Sequence, residues 1–281
     1  MASNASSSRR GVKPFLRWAG SKRQLISQLI AYWNDEYLNY VEPFVGSGSL
    51  FFAISPRQAI LGDINDELIF TYKQVRENMD AVLSALHKFE KGREAYLKIR
   101  SLDQMKLTEE RRAARFIYLN RYCFNGLYRT NLKGHFNVPY GGWKSGELPS
   151  KDHFQSCTNA LDNAVLLSGS FEKTLELVKQ GDFVYMDPPF SVRARRVFNE
   201  YDPSTFTSGQ VQVLRQWLER LDASGISFLV SYAESQEADL LRQGFNSQEV
   251  TVRRNISGFA SKRRKARELL ITNCELFDQG G

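Results

Sequence analysis

Apolar residues along the chain gather in short runs parted by polar stretches, and these runs predict the secondary structure. Residues 40–45, 59–61, 165–167, 183–186 and 226–231 are short, continuous and apolar, the pattern of buried strands. Two further β-type runs, 248–252 and 269–272, follow near the end. Between strands the period changes: Val211, Leu214, Trp217, Leu218 and Leu221 recur at the i, i+3, i+4 spacing of one helix face. Strands alternating with helices predict an α/β sheet, and no internal repeat interrupts the pattern.

The stretch 66–154 departs from it. It is helix-rich and charged, then rich in Gly, Asn and Tyr up to Pro149, with weak strand signals and a hairpin expected near 124–142. The economical division is an α/β core made of 13–65 and 155–281, a mainly helical module inserted at 66–154, and a lead-in over 1–12. The lead-in is Ser- and Asn-rich without an apolar stretch, so disorder is expected there.

Composition adds three constraints. With 42% hydrophobic and 25% charged residues in 281, a sizeable core is expected. A net charge of +7 favours a polyanionic partner. No apolar run reaches the eighteen or so residues of a membrane span, so no membrane partner is expected. Cys123, Cys157 and Cys274 form no close pair, which argues against disulfides and zinc and fits a reducing, intracellular setting.

Two motifs carry chemistry. Val41-Glu42-Pro43-Phe44-Val45-Gly46-Ser47-Gly48-Ser49 follows a strand and precedes a helix-like run, so that its glycines let backbone approach a ligand. Asp63, with Ile64 beside it, ends the next strand, where an acid accepts hydrogen bonds from ribose hydroxyls in nucleotide-binding α/β folds. The same residues also suit a plain turn and a helix cap, and the full G-x-G-x-x-G is absent because Phe51 holds its third position. The sharper signal is Asp187-Pro188-Pro189-Phe190 after the strand 183–186. The prolines stiffen an edge at a strand's carboxyl end, where open α/β sheets place ligands. There the Asp187 carboxylate and the Pro188 carbonyl can accept both hydrogens of an exocyclic amine and stabilise the charge it gains on alkylation, while Phe190 stacks on the base.

Taken with 15–22 (FLRWAGSK), 41–48, 59–65, 118–127 (YLNRYCFNGL) and 136–140 (FNVPY), these motifs, in this order over about 13–273, resemble the Dam-type, or D12 class, DNA adenine-N6 methyltransferases. The resemblance implies a Rossmann-like S-adenosylmethionine-dependent methyltransferase core with an inserted mainly helical DNA-recognition domain. It implies S-adenosyl-L-methionine as cofactor, double-stranded DNA as partner, no metal, a monomer, and a cytoplasmic, nucleoid-associated location. The reaction would carry a methyl group to N6 of a flipped adenine in GATC or a related site. Catalysis would fall to Asp187, Pro188, Pro189 and Phe190. Cofactor binding would fall to Trp18, Ala19, Gly20, Lys22, Glu42, Pro43, Phe44, Gly46, Gly48, Asp63, Ile64 and Asp187. DNA contacts would come from Arg17, Asn120, Arg121, Phe124, Asn125, Leu127, Arg129, Asn137 and Pro139, with an aromatic filling the space of the flipped base and an arginine reading a guanine edge.

Arg253, Arg254, Lys262 and Arg263 belong to a basic loop suited to phosphates, although a charge run is commonly just a solvated surface. Two departures stand out: Phe190 replaces the family's commoner Tyr, and Gly141-Gly142-Trp143 stands where some relatives carry an arginine. The same chemistry would serve the cytosine N4 amine or adenine in RNA, and an inactive DNA-binding relative would keep the fold. Intact Lys22, Asp63 and Asp187 favour an enzyme, and the motif order with residues 125–129 favours adenine in DNA. No cysteine follows a proline as the nucleophile of cytosine-C5 enzymes does, and His87, His135 and His153 are scattered.

Overall fold

Seven strands form one sheet in the order β3-β2-β1-β4-β5-β7-β6. They are β1 (Tyr40–Glu42), β2 (Ala59–Asp63), β3 (Ala164–Ser168), β4 (Phe183–Met186), β5 (Ser227–Ala233), β6 (Asn246–Asn255) and β7 (Arg263–Thr272). This computed structural model describes residues 11–131, 133–142, 146–189, 206–255 and 263–274, with side chains at 253–255 and 263–265 left undescribed. Of the expected lead-in, 1–10 lie outside the described residues, and Val12 N–H donates to Phe52 O at 2.8 Å.

The first five strands pair in parallel, β7 is antiparallel to β5, and β6 is antiparallel to β7. From β1 the chain steps outward to β2 and β3; from β4 it steps the other way to β5. The order therefore reverses between β1 and β4, and the crevice beyond their carboxyl ends is where such sheets bind ligands.

Both faces of the sheet are covered, which explains the continuous apolar runs. Tyr40, Leu61, Phe183, Tyr185, Leu229 and Leu270 face one core, and Val41, Ile60, Val184, Met186, Val230 and Ile271 the other. The helix expected from Val211, Leu214, Leu218 and Leu221 is Ser208–Ala223, opened by a Thr207–Gln210 capping box. The strand expected over 40–45 ends at Glu42. Pro43 has no N–H for the ladder, and the chain turns so that Val45 N–H donates to Gly62 O at 2.9 Å.

Among the described residues, four α-helices lie between β2 and β3: Asp66–His87, Arg93–Arg100, Glu109–Tyr122 and Lys151–Leu161. The first touches both the sheet and the helices that follow it. Its Arg76 donates to Ala164 O at 2.8 Å and its Val75 O accepts from Thr158 at 3.1 Å, while Glu67 pairs with Arg112 of the third. Residues 122–131 and 133–141 run antiparallel to one another, bridged at Cys123–Tyr140 and Thr130–Phe136.

Gly62 sits one residue before Asp63, under the helix Phe171–Leu175, and a Cβ there would run into Thr174 Oγ1. Gly62→Ala is expected to destabilise the protein by about 1–3 kcal/mol in denaturant unfolding. Thr174→Ala in the same chain should recover part of the loss, as contacting sites couple; strictly additive losses would contradict this packing.

Candidate active site at the carboxyl ends of β1 and β4

The turn after β1 is built on left-handed backbone at Gly46 (φ 47) and Gly48 (φ 63). A Cβ on Gly46 would lie 2.9 Å from the Trp18 ring, so only glycine lets the loop and the indole meet. Asp63, at the end of β2, clasps this turn: its carboxylate accepts from Gly46 N–H and from Asn65 N–H, each at 2.9 Å. Tyr72 donates to Gly46 O at 2.7 Å from the opposite side. The helix cap is Asn65, whose side chain accepts from Leu68 N–H.

Glu42, the last residue of β1, is buried and accepts from Tyr40 OH at 2.9 Å. Burial pushes its carboxyl well above the usual glutamate range, and the charges of Asp187 and Asp63 add to the shift. Asp63 is raised as well, by burial, with its backbone N–H donors opposing.

Asp187 follows β4 directly. Its Oδ1 lies 2.6 Å from Lys22 Nζ and accepts from Ser231 Oγ at 3.1 Å. Tyr185 OH is 2.9 Å from the same Ser231 oxygen. Serine has one proton, so when it donates to Asp187 the tyrosine donates to it, giving the chain Tyr185→Ser231→Asp187. Lys22 also lies 3.5 Å from Glu268 Oε2 on β7 and 3.5 Å from Gly20 O. Lys22 is 6% exposed and Asp187 20%, so the pair is inside the protein with the acid at an opening. Burial raises the Asp187 carboxyl above the usual aspartate range, Lys22 pulls it down, and Glu268 pushes it up.

A stiff, partly open carboxylate stands beside two more carboxylates and a glycine turn, at the sheet's switch point. The sequence profile described as D12 class N6 adenine-specific DNA methyltransferase matches residues 18–256. The chain is 36% identical to a type II methyltransferase of Lactococcus lactis subsp. cremoris, across 93% of this chain and 95% of that protein. It is 34% identical to a type II methyltransferase of Methanocaldococcus jannaschii, across 93% and 99%. It is 33% identical to the DNA adenine methylase of Escherichia coli K12, across 92% and 94%. The chain belongs to the D12 class of N6 adenine-specific DNA methyltransferases.

In this methyltransferase the remaining predicted residues are distributed unevenly. Ala19 and Gly20 form an exposed turn closed by Ser21 N–H to Trp18 O, and Ile64 is 53% exposed beside Asp63. Pro43 is buried, and Phe44 packs between Phe171 and Phe206 in the far core. Pro188 is buried and Pro189 exposed; Phe190 lies outside the described residues, as do Lys262 and Trp143. Asn120 is buried, and its amide binds the Arg17 backbone at both ends, accepting from N–H at 2.8 Å and donating to the carbonyl at 2.6 Å. It fixes Arg17, whose guanidinium reaches Arg121 O at 3.2 Å. Burial and the charges of Arg17 and Arg23 bring Arg121 down to about 10, the sign of a basic cluster, although Arg23 was not expected there.

At the hairpin rim Phe124, Asn125, Leu127, Arg129 and Pro139 are exposed. Phe124 N–H donates to Pro139 O at 2.9 Å, Asn125 is left-handed, and Arg129 donates to Asn137 at 2.7 Å. The β6–β7 register puts Arg253 opposite Lys265, Arg254 opposite Arg264 and Asn255 opposite Arg263. Because β5 ends at Ala233 opposite Glu268, residues 263–267 run past the carboxyl end of β5, on the Asp187 side of the sheet.

Sequence reasoning missed Tyr185, Ser231 and Glu268. The one signal was an acid interrupting the apolar approach to 269–272, and nothing local connects it to Lys22. Burial pushes Cys123 up to about 11 and Cys157 to about 12, so both stay thiols at neutral pH. Among the described residues, no helix is long and apolar enough to cross a membrane.

A raised carboxyl makes its stabilising contribution below its ordinary pKa and loses it as pH rises through the folded value. For Glu42, whose ordinary value is 4.5, stability of the cofactor-free protein therefore falls as pH climbs above that range. Glu42→Gln should flatten this fall in thermal melts across pH; an unchanged slope would contradict a Glu42 carboxyl raised by burial. Asp63 and Asp187 shift in the same direction and preserve part of the slope.

Proposed function

We propose that this enzyme methylates N6 of an adenine flipped out of duplex DNA, with S-adenosylmethionine as donor and GATC or a close relative as target. The observation that carries the reading is the Asp187 carboxylate, fixed through Oδ1 by Lys22 and Ser231 at the end of β4.

The cofactor fits the donor set in chemical type. Asp63 and buried Glu42 offer carboxylates to ribose hydroxyls and to an ammonium group, the glycine turn lets backbone come close, and exposed Ile64 offers an apolar surface to a base. Bound, S-adenosylmethionine supplies an electrophilic sulfonium methyl group.

The chain's own residues prepare the nucleophile. Adenine N6 is a poor one because its lone pair is delocalised into the ring. Asp187 and the Pro188 carbonyl accept its two hydrogens, draw the nitrogen toward tetrahedral geometry and stabilise the positive charge it gains. Asp187 then takes the proton that N6 must lose once it carries the methyl group. Lys22 and Ser231 hold the acid in place meanwhile, which is positioning prepared before reaction.

N6 of a stacked adenine cannot reach such a crevice, so the base must leave the helix. Exposed Phe124 and Leu127 suit the space it vacates, and Arg129 suits a guanine edge. Arg17, Arg121 and the basic end of the β6–β7 ribbon suit phosphates. The target sequence rests on the resemblance to Dam-type enzymes.

Incubation with S-adenosylmethionine and unmethylated genomic DNA, read by single-molecule sequencing, tests this directly. N6-methyladenine should appear within one short motif and be absent with Asp187→Ala. N4-methylcytosine, or no modified base despite cofactor binding seen by calorimetry, would overturn the reading.

A further inference from the structure

Glu268 enters neither the family resemblance nor the amine chemistry above, yet it lies within the same buried cluster. It is 4% exposed on β7, opposite Ala233 at the end of β5 and opposite Val250 of β6. Its Oε2 is 3.5 Å from Lys22 Nζ, and the same ammonium is 2.6 Å from Asp187 Oδ1. A carboxylate this deep carries a heavy desolvation cost unless a partner offsets it, and burial of Glu, Asp and Lys together needs a reason.

We propose that Glu268 is a positioning residue for methyl transfer, whose carboxylate shares the Lys22 ammonium with Asp187 and favours transfer of the amine's proton to Asp187. The proposal rests on the reading that Asp187 meets the target amine. The second carboxylate on the same ammonium repels negative charge at Asp187 and so favours its protonated form. The N–H bond at N6 breaks, its electron pair stays on nitrogen, and the proton goes to the Asp187 carboxylate and later to water at its open side. Without the Glu268 charge that repulsion is lost, and transfer of the proton to Asp187 is disfavoured.

Among the described residues, the following groups face Asp187. Lys22 comes from the N-terminal segment, Glu268 from β7, Ser231 from β5, Tyr185 from β4, and Glu42 with Tyr40 from β1. Glu268 raises the Asp187 carboxyl while Lys22 lowers it, the signs that a carboxylate and an ammonium impose.

The test is a carboxyl titration of the cofactor-free protein with 13C-labelled aspartate, using Asp187→Asn to assign the signal. Glu268→Gln keeps the shape and removes the charge; it should lower the Asp187 midpoint by about one pH unit, a tenfold change in proton affinity. The acid limb of the single-turnover methylation rate should move the same way, at unchanged cofactor affinity. Glu268→Asp draws the charge back from Nζ and should give a smaller shift of the same sign, which keeps the test alive if the Gln variant fails to fold. Wild-type midpoints in the folded variants would overturn the role of Glu268. A shifted midpoint in a protein that methylates no adenine would instead overturn the function proposed above and leave the charge coupling standing.

Discussion

Lys22 and Asp187 meet at 2.6 Å where the sheet changes direction, and the site is organised around that pair. The lysine comes from the segment ahead of the sheet and the aspartate from the end of β4, so the contact ties the N-terminal segment across the crevice. A buried ammonium stripped of its partner costs about 3–5 kcal/mol. Here the lysine has a second carboxylate, Glu268, 3.5 Å away, so it keeps a partner when Asp187 is replaced. Structure and chemistry can therefore be separated at this acid, which is rare for a buried pair.

Around that pair, Trp18 links two parts of the structure. Its ring packs against Gly46 of the turn after β1 and stacks on Tyr128 of the hairpin, with centroids 6.2 Å apart and planes at 14°. Tyr128 also packs against Phe116 and Phe136. Such pairs contribute about 0.5–1.5 kcal/mol beyond their buried area. One indole thus joins the glycine turn to the exposed rim of Phe124, Leu127 and Arg129. The Arg17–Asn120 clamp reinforces the same connection one residue away.

Much of this was legible in the sequence because the signals were local. All five parallel strands and the helix Ser208–Ala223 follow from apolar runs and spacing, and Asp187-Pro188 declares itself by stiffness at a strand end. The strand at 40–45 was drawn too long because its apolar residues continue past Pro43 into the turn. Lys22 was visible only through family resemblance, since its partners lie far along the chain. Ser231 and Glu268 were invisible for a related reason. Parallel pairing of β4 with β5 brings Ser231 beside Asp187, antiparallel pairing of β5 with β7 brings Glu268 to the end of β5, and no spacing rule encodes either register. Asp63 was expected to face a ribose; its carboxylate also clasps the glycine turn through Gly46 N–H, a backbone contact that composition cannot announce.

The most direct measurement is the single-turnover methylation rate of Asp187→Asn at saturating cofactor and duplex, with circular dichroism to verify folding. The amide keeps the shape of the acid but cannot take the amine's proton. The account predicts a folded protein whose rate falls by at least about a hundredfold, the scale of a lost proton acceptor. A folded Asp187→Asn protein that methylates at the wild-type rate would contradict it.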